Sequence, residues 1–375
     1  MKKVQKVKIK PKFAKFLKVN GILLCIVLGV FLFYMKQIHD LRRYGYSYLA
    51  SKNILFSFQK DYVMSIGENQ TLNAAFESDD YCEDNLDRYP KIQFVNQKHF
   101  ISNINKFIEI GYSNNDINII FQHGNDDSIT QFTKREKIHY LEEFFTVPYA
   151  KLDRYDRYVA YSDDTGEDEE LTVLFVNLDL DLEDYVDSVL TDSFSSDMLV
   201  NKHHYLKEDF EPDDLIQIDS SYASDDDLYC SHIAFNAFKK MSDAAASEGY
   251  SLVINSAYRS YQDQIQLEQI YLDAYGQNYV DKYVAKPGYS EHQTGLAFDI
   301  GSRNSNVFAA SKEYQWVQDN AYKYGFIQRF TKRFENITGF QNEPWHYRYV
   351  GEEIAKYIYE NHISFEEYWA IYLDY

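Results

Sequence analysis

A chain of 375 residues is long enough for two or three domains, and 45% apolar with 26% charged residues reads as mainly globular. The net charge is −20, from 58 acidic and 38 basic residues. The first twenty residues carry eight lysines and no acid, so the remainder stands at −28, a charge that repels nucleic acid and argues against such a partner.

The basic head leads into "GILLCIVLGVFLFYM", Gly21 to Met35, fifteen residues without a charge. A bilayer span takes ~20 apolar residues and a signal-peptide core ~7–15. No small-x-small cleavage site follows, and Cys25 lies too early, after Leu24, for a lipoprotein cysteine. The expected arrangement is a basic cytoplasmic tail over 1–20 and an uncleaved transmembrane signal anchor over 21–37. The lysine-rich end stays inside, so the chain crosses the cell membrane once with its body outside. A cleaved signal peptide is the alternative, and it exports the body equally. Cys82 and Cys230 could pair outside the cell or stay free. No CxxC or other thiolate zinc pattern occurs.

Residues 38–195 read as an accessory or spacer region, mainly helical. Ile101, Ile104, Phe107 and Ile108 form one helical face, ended by Gly111. Ser113 with Asp116 fits a capping box for the next helix, with Ile117, Ile120 and Phe121 inward. Thr133 with Glu136 repeats that signal ahead of Ile138, Leu141, Phe144 and Phe145. "RYVAY" and "LTVLFVNL" are rich in β-formers, and the polar "SDDTGEDEE" between them predicts a hairpin. The acid-rich stretch from Asp179 to Asp214 follows.

Residues 196–375 change to an α+β pattern. A helix is expected from near Ser231 to Ser247, with Ala234, Phe238, Met241 and Ala245 on one face and Gly249 as its stop. "YSLVINSAYRS" reads as a strand leaving into a loop, and Ser260 with Asp263 caps a further helix. "GLAFDIG" is a short strand. Tyr314, Val317, Ala321 and Tyr324 mark a helical face. "EPWHYRYVG" is strand-like, and a Tyr-rich helix follows from Glu352.

Three segments carry residues with chemistry. In "KPGYSEHQTGLAFDIG" the strand alternates, so Asp299 points away from the face of Leu296, Phe298 and Ile300. Gly295 lets the chain turn between His292 and that strand. In "NEPWHYRYVG" Pro344 interrupts pairing after Glu343, so Glu343 and His346 could face one cavity. His292, Asp299 and His346 would make the three protein ligands of a catalytic zinc, leaving Glu343 free as general base. A structural hydrogen bond is the plainer use of a His–Asp pair. In "SAYRSYQDQ", Arg259 leaves a strand just before a helix, where a guanidinium can bind a carboxylate or oxyanion. Gln264 lies one turn into that helix. His203, His204, His232 and His362 fit no pattern and read as surface residues, and Trp316 reads as core.

Taken together, "SAYRSYQDQ", "KPGYSEHQTGLAFDIG" and "NAYKYGFIQRF…ITGFQNEPWHYRYVG" closely resemble the VanY-type D-alanyl-D-alanine carboxypeptidases. That zinc peptidase family also holds L,D-carboxypeptidases and D-Ala-D-Ala dipeptidases. The resemblance covers roughly residues 196–360. Ser290, His292 and Asp299 match its S-x-H-x(6)-D pattern, and Glu343 and His346 its E-x-x-H. It implies a small α+β zinc-peptidase domain over 196–375, a central antiparallel sheet flanked by helices. It implies one Zn2+ per chain on His292, Asp299 and His346, with Glu343 as base and Arg259 on the scissile carbonyl. Gln264 and Ser290 would line the substrate pocket. The implied substrate is a peptidoglycan stem peptide ending in D-Ala-D-Ala, cut to release the last residue. An L,D-carboxypeptidase, a D-Ala-D-Ala dipeptidase and a non-catalytic wall-binding protein are the alternatives.

Overall fold

The structure is a computed structural model that describes residues 11–138 and 141–374. The first half of the expected basic tail therefore lies outside the described residues. The chain forms two compact units, Met1–Asp153 and Arg154–Tyr375.

The first unit begins with helix α1 (Pro11–Arg43). Within it, Lys18–Arg43 is long and apolar enough to cross a membrane by length and composition. Its apolar side chains face outward, with Leu24 69% and Phe33 65% exposed. Helix α2 (Phe100–Ile110) buries Ile101, Ile104 and Phe107, and Gly111 closes it in the left-handed region. Helix α3 (Asn114–His123) opens on the expected box of Ser113 with Asp116. The next expectation is corrected. Thr133 ends a helix, α4 (Asp126–Phe132), instead of starting one. The start lies upstream, where Asn125 accepts from the backbone of Asp127 and Ser128 and Ser128 answers with its own side chain.

The expected hairpin is also corrected. Its two arms are helices α5 (Tyr155–Thr165) and α6 (Glu169–Asn177), and both belong to the second unit. Tyr155 and Tyr158 on one, and Val173 and Val176 on the other, are buried pairs three apart. That spacing suits a helix face, and burial there overrides β-propensity. Gly166 ends α5 at φ 72°, and Asp168 caps α6 through the Leu171 N–H.

The core of the second unit is a four-stranded sheet of β1 (Leu252–Ser256), β2 (Ala297–Ser302), β3 (Phe326–Gln328) and β4 (His346–Tyr349). The strand order is β1-β2-β4-β3, and every neighbouring pair is antiparallel. Helix α7 (His232–Ser247) covers one face, where Phe238 meets Phe298 and Phe326 edge-on. Phe238, Phe298 and Phe326 are fully buried, each worth about 1.5–3 kcal/mol of transfer free energy. Trp316 joins this core from α10 (Lys312–Asn320). Helices α8 (Tyr261–Tyr275) and α9 (Gln277–Tyr283) lie between β1 and the turn that precedes β2. Ser260 and Asp263 form the expected capping box of α8. The Tyr-rich end is two helices, α11 (Glu352–Asn361) and α12 (Phe365–Tyr372).

Two histidines differ from expectation. His203 and His204 are buried, and the His204 ring packs on Trp369 of α12. Burial pushes the His204 imidazole down to about 4, so it sits neutral in an aromatic contact. Cys82 and Cys230 are free thiols, and Cys230 is buried in the core around the sheet.

Candidate metal centre and substrate pocket

The sheet register creates the site. Asp299 on β2 pairs with His346 on β4, and a bulge in β1 sets Ser256 opposite Asp299 on the other side. His292 arrives from the short 3-10 turn Glu291–Thr294 directly before β2. Gly295 makes that turn at φ 67°, with Ser231 N only 2.9 Å from where a Cβ would stand, so both conformation and space demand glycine.

Each imidazole is held from behind. His292 Nδ1 lies 2.6 Å from the Ala257 carbonyl, which can only accept, so the hydrogen is on Nδ1 and Nε2 keeps its lone pair. His346 Nε2 donates to Glu291 Oε2 at 3.2 Å, which leaves Nδ1 as the free nitrogen. The two rings stand 4.9 Å apart at 88°. His292 Nε2 is 3.5 Å and His346 Nδ1 3.3 Å from the same atom, Asp299 Oδ1. Asp299 Oδ1 is nevertheless buried without a hydrogen-bond partner.

An orphaned carboxylate oxygen facing two lone-pair nitrogens fits a shared cation. The three ligand atoms lie within 4.8 Å of one another. Tetrahedral zinc with bonds of ~2.1 Å separates its ligands by ~3.4 Å, close to both measured gaps. Two imidazoles and one carboxylate also make the donor set of a catalytic zinc, with a fourth position left open.

The charges agree with that fit. Burial would raise the Asp299 carboxyl, but His292 and His346 outweigh it and hold it well below the usual range. Burial lowers His292, and Arg259 pushes the same way. Burial also opposes a charge on His346, yet the Asp299 and Glu291 carboxylates prevail and raise it to about 9. In the metal-free protein the proton that charges His346 sits on Nδ1, toward Asp299 Oδ1 at 3.3 Å, the place a cation would take over.

Glu343 stands beside the triad, 3.9 Å from His346 Nδ1 and 7% exposed. Burial raises its carboxyl to about 7, with His346 opposing and Asp299 adding to the rise. A carboxyl that titrates near neutrality can both take and return a proton.

Arg259 enters from the loop after β1. Its guanidinium donates to Gln264 Oε1 at 2.8 Å and to Ser256 Oγ at 3.1 Å. Its backbone N–H donates to the His292 carbonyl at 3.2 Å, tying its loop to the ligand turn. Gln264 anchors the pair by donating to the Ala285 carbonyl at 2.7 Å. One pocket brings together Arg259, Gln264, Ser290, His292, Asp299, Glu343 and His346, all seven residues singled out from the sequence. Its outer wall is apolar and aromatic, with Leu267, Tyr271, Tyr279, Tyr283 and Trp345. Tyr271, Tyr279 and Tyr283 belong to a run of contacting rings on α8 and α9.

The sequence reading missed the groups behind the ligands. Glu291 accepts from Arg329 Nε at 2.7 Å and Arg348 Nη1 at 3.2 Å besides His346. Arg348 also donates to the Ser196 and Met198 carbonyls. Two signals were available: Glu291 directly precedes His292, and Arg348 shares the strand face of His346.

The family described as D-alanyl-D-alanine carboxypeptidase, VanY, matches residues 227–352, which contain all seven pocket residues. YodJ of Bacillus subtilis is 44% identical over 178 residues, 45% of this chain and 65% of that protein. A D-alanyl-D-alanine carboxypeptidase of Enterococcus faecalis is 39% identical over 136 residues, 34% of this chain and 50% of that protein. VanXYC of Enterococcus gallinarum, a bifunctional D-Ala-D-Ala dipeptidase and D-Ala-D-Ala carboxypeptidase, is 32% identical over 45% of this chain and 91% of its own length. The chain belongs to the VanY family. Among solved structures, the LdcB LD-carboxypeptidase is 43% identical over 46% of this chain and 85% of its own, with a TM-score of 0.43. In this VanY-family chain the matched segment leaves the first unit outside the likeness.

Proposed function

We propose that this chain is a zinc-dependent D-alanyl-D-alanine carboxypeptidase that removes the terminal D-Ala from peptidoglycan stem peptides. Residues 196–375 form the catalytic domain, and 38–195 serve as accessory or spacer. The observation that carries the reading is the convergence of His292, Asp299 and His346 on one point, with Glu343 and Arg259 in the same pocket. Family membership supports it, and so do relatives described as D-alanyl-D-alanine carboxypeptidases.

His292, Asp299 and His346 hold one zinc ion. Such an ion supplies Lewis acidity, polarising a carbonyl and acidifying water. Glu343 takes the proton of the attacking water and delivers it to the leaving amine as the peptide bond breaks. Arg259, locked by Gln264 and Ser256, holds negative charge that develops on the carbonyl oxygen. Ser290, Gln264 and the tyrosine wall position the peptide. Because Arg259 is already fixed, little ordering remains to be done on substrate arrival.

The exposed apolar surface of α1 supports a membrane anchor, with the lysine-rich side in the cytoplasm and the body outside. An anchored enzyme suits a polymer at the same surface. The deciding experiment incubates the zinc-loaded protein with penta-, tetra- and dipeptide substrates and identifies products by mass. Release of D-Ala from the pentapeptide is expected. Cleavage confined to the tetrapeptide would make it an L,D-carboxypeptidase, and cleavage confined to D-Ala-D-Ala a dipeptidase. No bound zinc and no cleavage of any substrate would leave a wall-binding protein.

A further inference from the structure

A chain of buried charges runs from the candidate metal centre to helix α12, and the proposed reaction gives it no role. His346 Nε2 meets Glu291, Glu291 meets Arg329, and Arg329 gives both terminal nitrogens to the two oxygens of Glu366, the Nη1 contact at 2.9 Å. Arg329 also donates its backbone N–H to the His346 carbonyl at 3.1 Å. Glu291, Arg329 and Glu366 are each 2–3% exposed. Glu366 lies in the first turn of α12, whose Phe365 packs against the Arg329 and Arg348 guanidinium groups.

Fastening a helix does not require such groups. Buried ion pairs are often no more stabilising than apolar residues of similar volume, because desolvation offsets their attraction. What charge adds is direction. Glu291 dictates which nitrogen of His346 carries hydrogen, and so which one faces Asp299. Arg329 and Arg348 together hold the other oxygen of Glu291, and of the two Arg329 is the one that bonds a carboxylate of α12. Both oxygens of Glu366 in turn fix the plane of the Arg329 guanidinium.

We propose that Glu291, Arg329 and Glu366 act as a positioning relay through which the seating of the C-terminal helix α12 sets the affinity of the metal centre. The proposal rests on zinc as the ion bound by His292, Asp299 and His346. Coupling between two sites is reciprocal, so zinc must tighten the seating of α12 by the same factor as α12 tightens zinc. A purely structural cluster would feel zinc only through global stabilisation of the fold, equally in wild type and in E366Q.

The test uses the full chain as wild type, Glu291→Gln and Glu366→Gln. Zinc dissociation constants come from competition with a chromophoric chelator, and amide exchange over residues 365–372 is followed with and without zinc. Removing a partner behind a metal ligand weakens binding ~10–100-fold, the loss expected for E291Q. E366Q leaves every direct contact of His346 intact and is expected to weaken zinc roughly fivefold, the lower end of ordinary coupling. Zinc should slow exchange over 365–372 in wild type, and much less in E366Q. Zinc affinities within twofold of wild type in both variants, with exchange over 365–372 indifferent to zinc, would overturn the relay while leaving the zinc enzyme standing. A wild type that binds no zinc would overturn the enzyme reading and the relay with it. Should E291Q fail to fold, E366Q and the wild-type exchange decide by the same criteria.

Discussion

Glu343 is the residue whose environment says most about its work. A carboxyl raised from the ordinary 4.5 to about 7 binds its proton more tightly folded than unfolded. That contribution to stability is complete below pH 4.5 and is lost as pH rises through 7. In metal-free protein, Glu343→Gln should therefore become more stable than wild type as pH climbs from 5 to 8. The gap should approach about 3 kcal/mol, because each tenfold difference in proton affinity is worth ~1.4 kcal/mol. Urea titrations with chelator present read it, and a gap independent of pH would contradict the assignment. In zinc-loaded protein, Glu343→Ala should keep its metal and lose on the order of 10²–10⁴-fold in D-Ala release. For Arg259, lysine keeps the charge but not the fork that reaches Gln264 and Ser256 together. Arg259→Lys should lower kcat on the order of 10²-fold, as loss of one oxyanion donor does. Zinc content measured alongside should stay unchanged.

At the scale of elements, the sequence was legible where local chemistry and burial agree. Capping boxes at Ser113 and Ser260 mark two helix starts, and the alternation of Leu296, Phe298 and Ile300 marks β2. It was misleading where they conflict. Tyr158, Val159, Val173 and Val176 suit strands by type, yet their buried members recur at helical spacing. The convergence of His292, Asp299 and His346 was readable because these residues sit on motifs with fixed spacing. The groups behind it were not, because Arg329 and Glu366 are 37 positions apart and only the fold joins them. His203 and His204 were misplaced for the same reason, since Trp369 covers His204 from far along the chain. Helix α7 offers a direct test of the core reading. Phe238→Ala should destabilise the second unit by about 3–5 kcal/mol, measured by denaturant unfolding, because the ring is wholly enclosed beneath β2 and β3.

For the whole molecule, one apolar helix and an acidic body call for different surroundings. The exposed row of Leu24, Val27 and Leu28 on α1 finds no cover among the described residues. Replacing Leu24 and Leu28 with Lys puts two charges at mid-helix, each opposing insertion by about 2.5–3.5 kcal/mol. The full-length variant should shift from the membrane to the soluble fraction on centrifugation, with its zinc content retained. A variant that stays with membranes would show that other segments hold it there.

Strand β2 has the final consequence. Phe298 and Asp299 are neighbours, one under α7 and the other in the His292–Asp299–His346 cluster. A one-residue slip against β4 would exchange them, driving a carboxylate into the aromatic layer and a phenyl ring into the pocket. The same slip would part Asp299 from His346, so zinc could reward only the correct alignment. The register thereby carries its own proofreading: the alignment that brings Asp299 beside His346 is the one that completes the core.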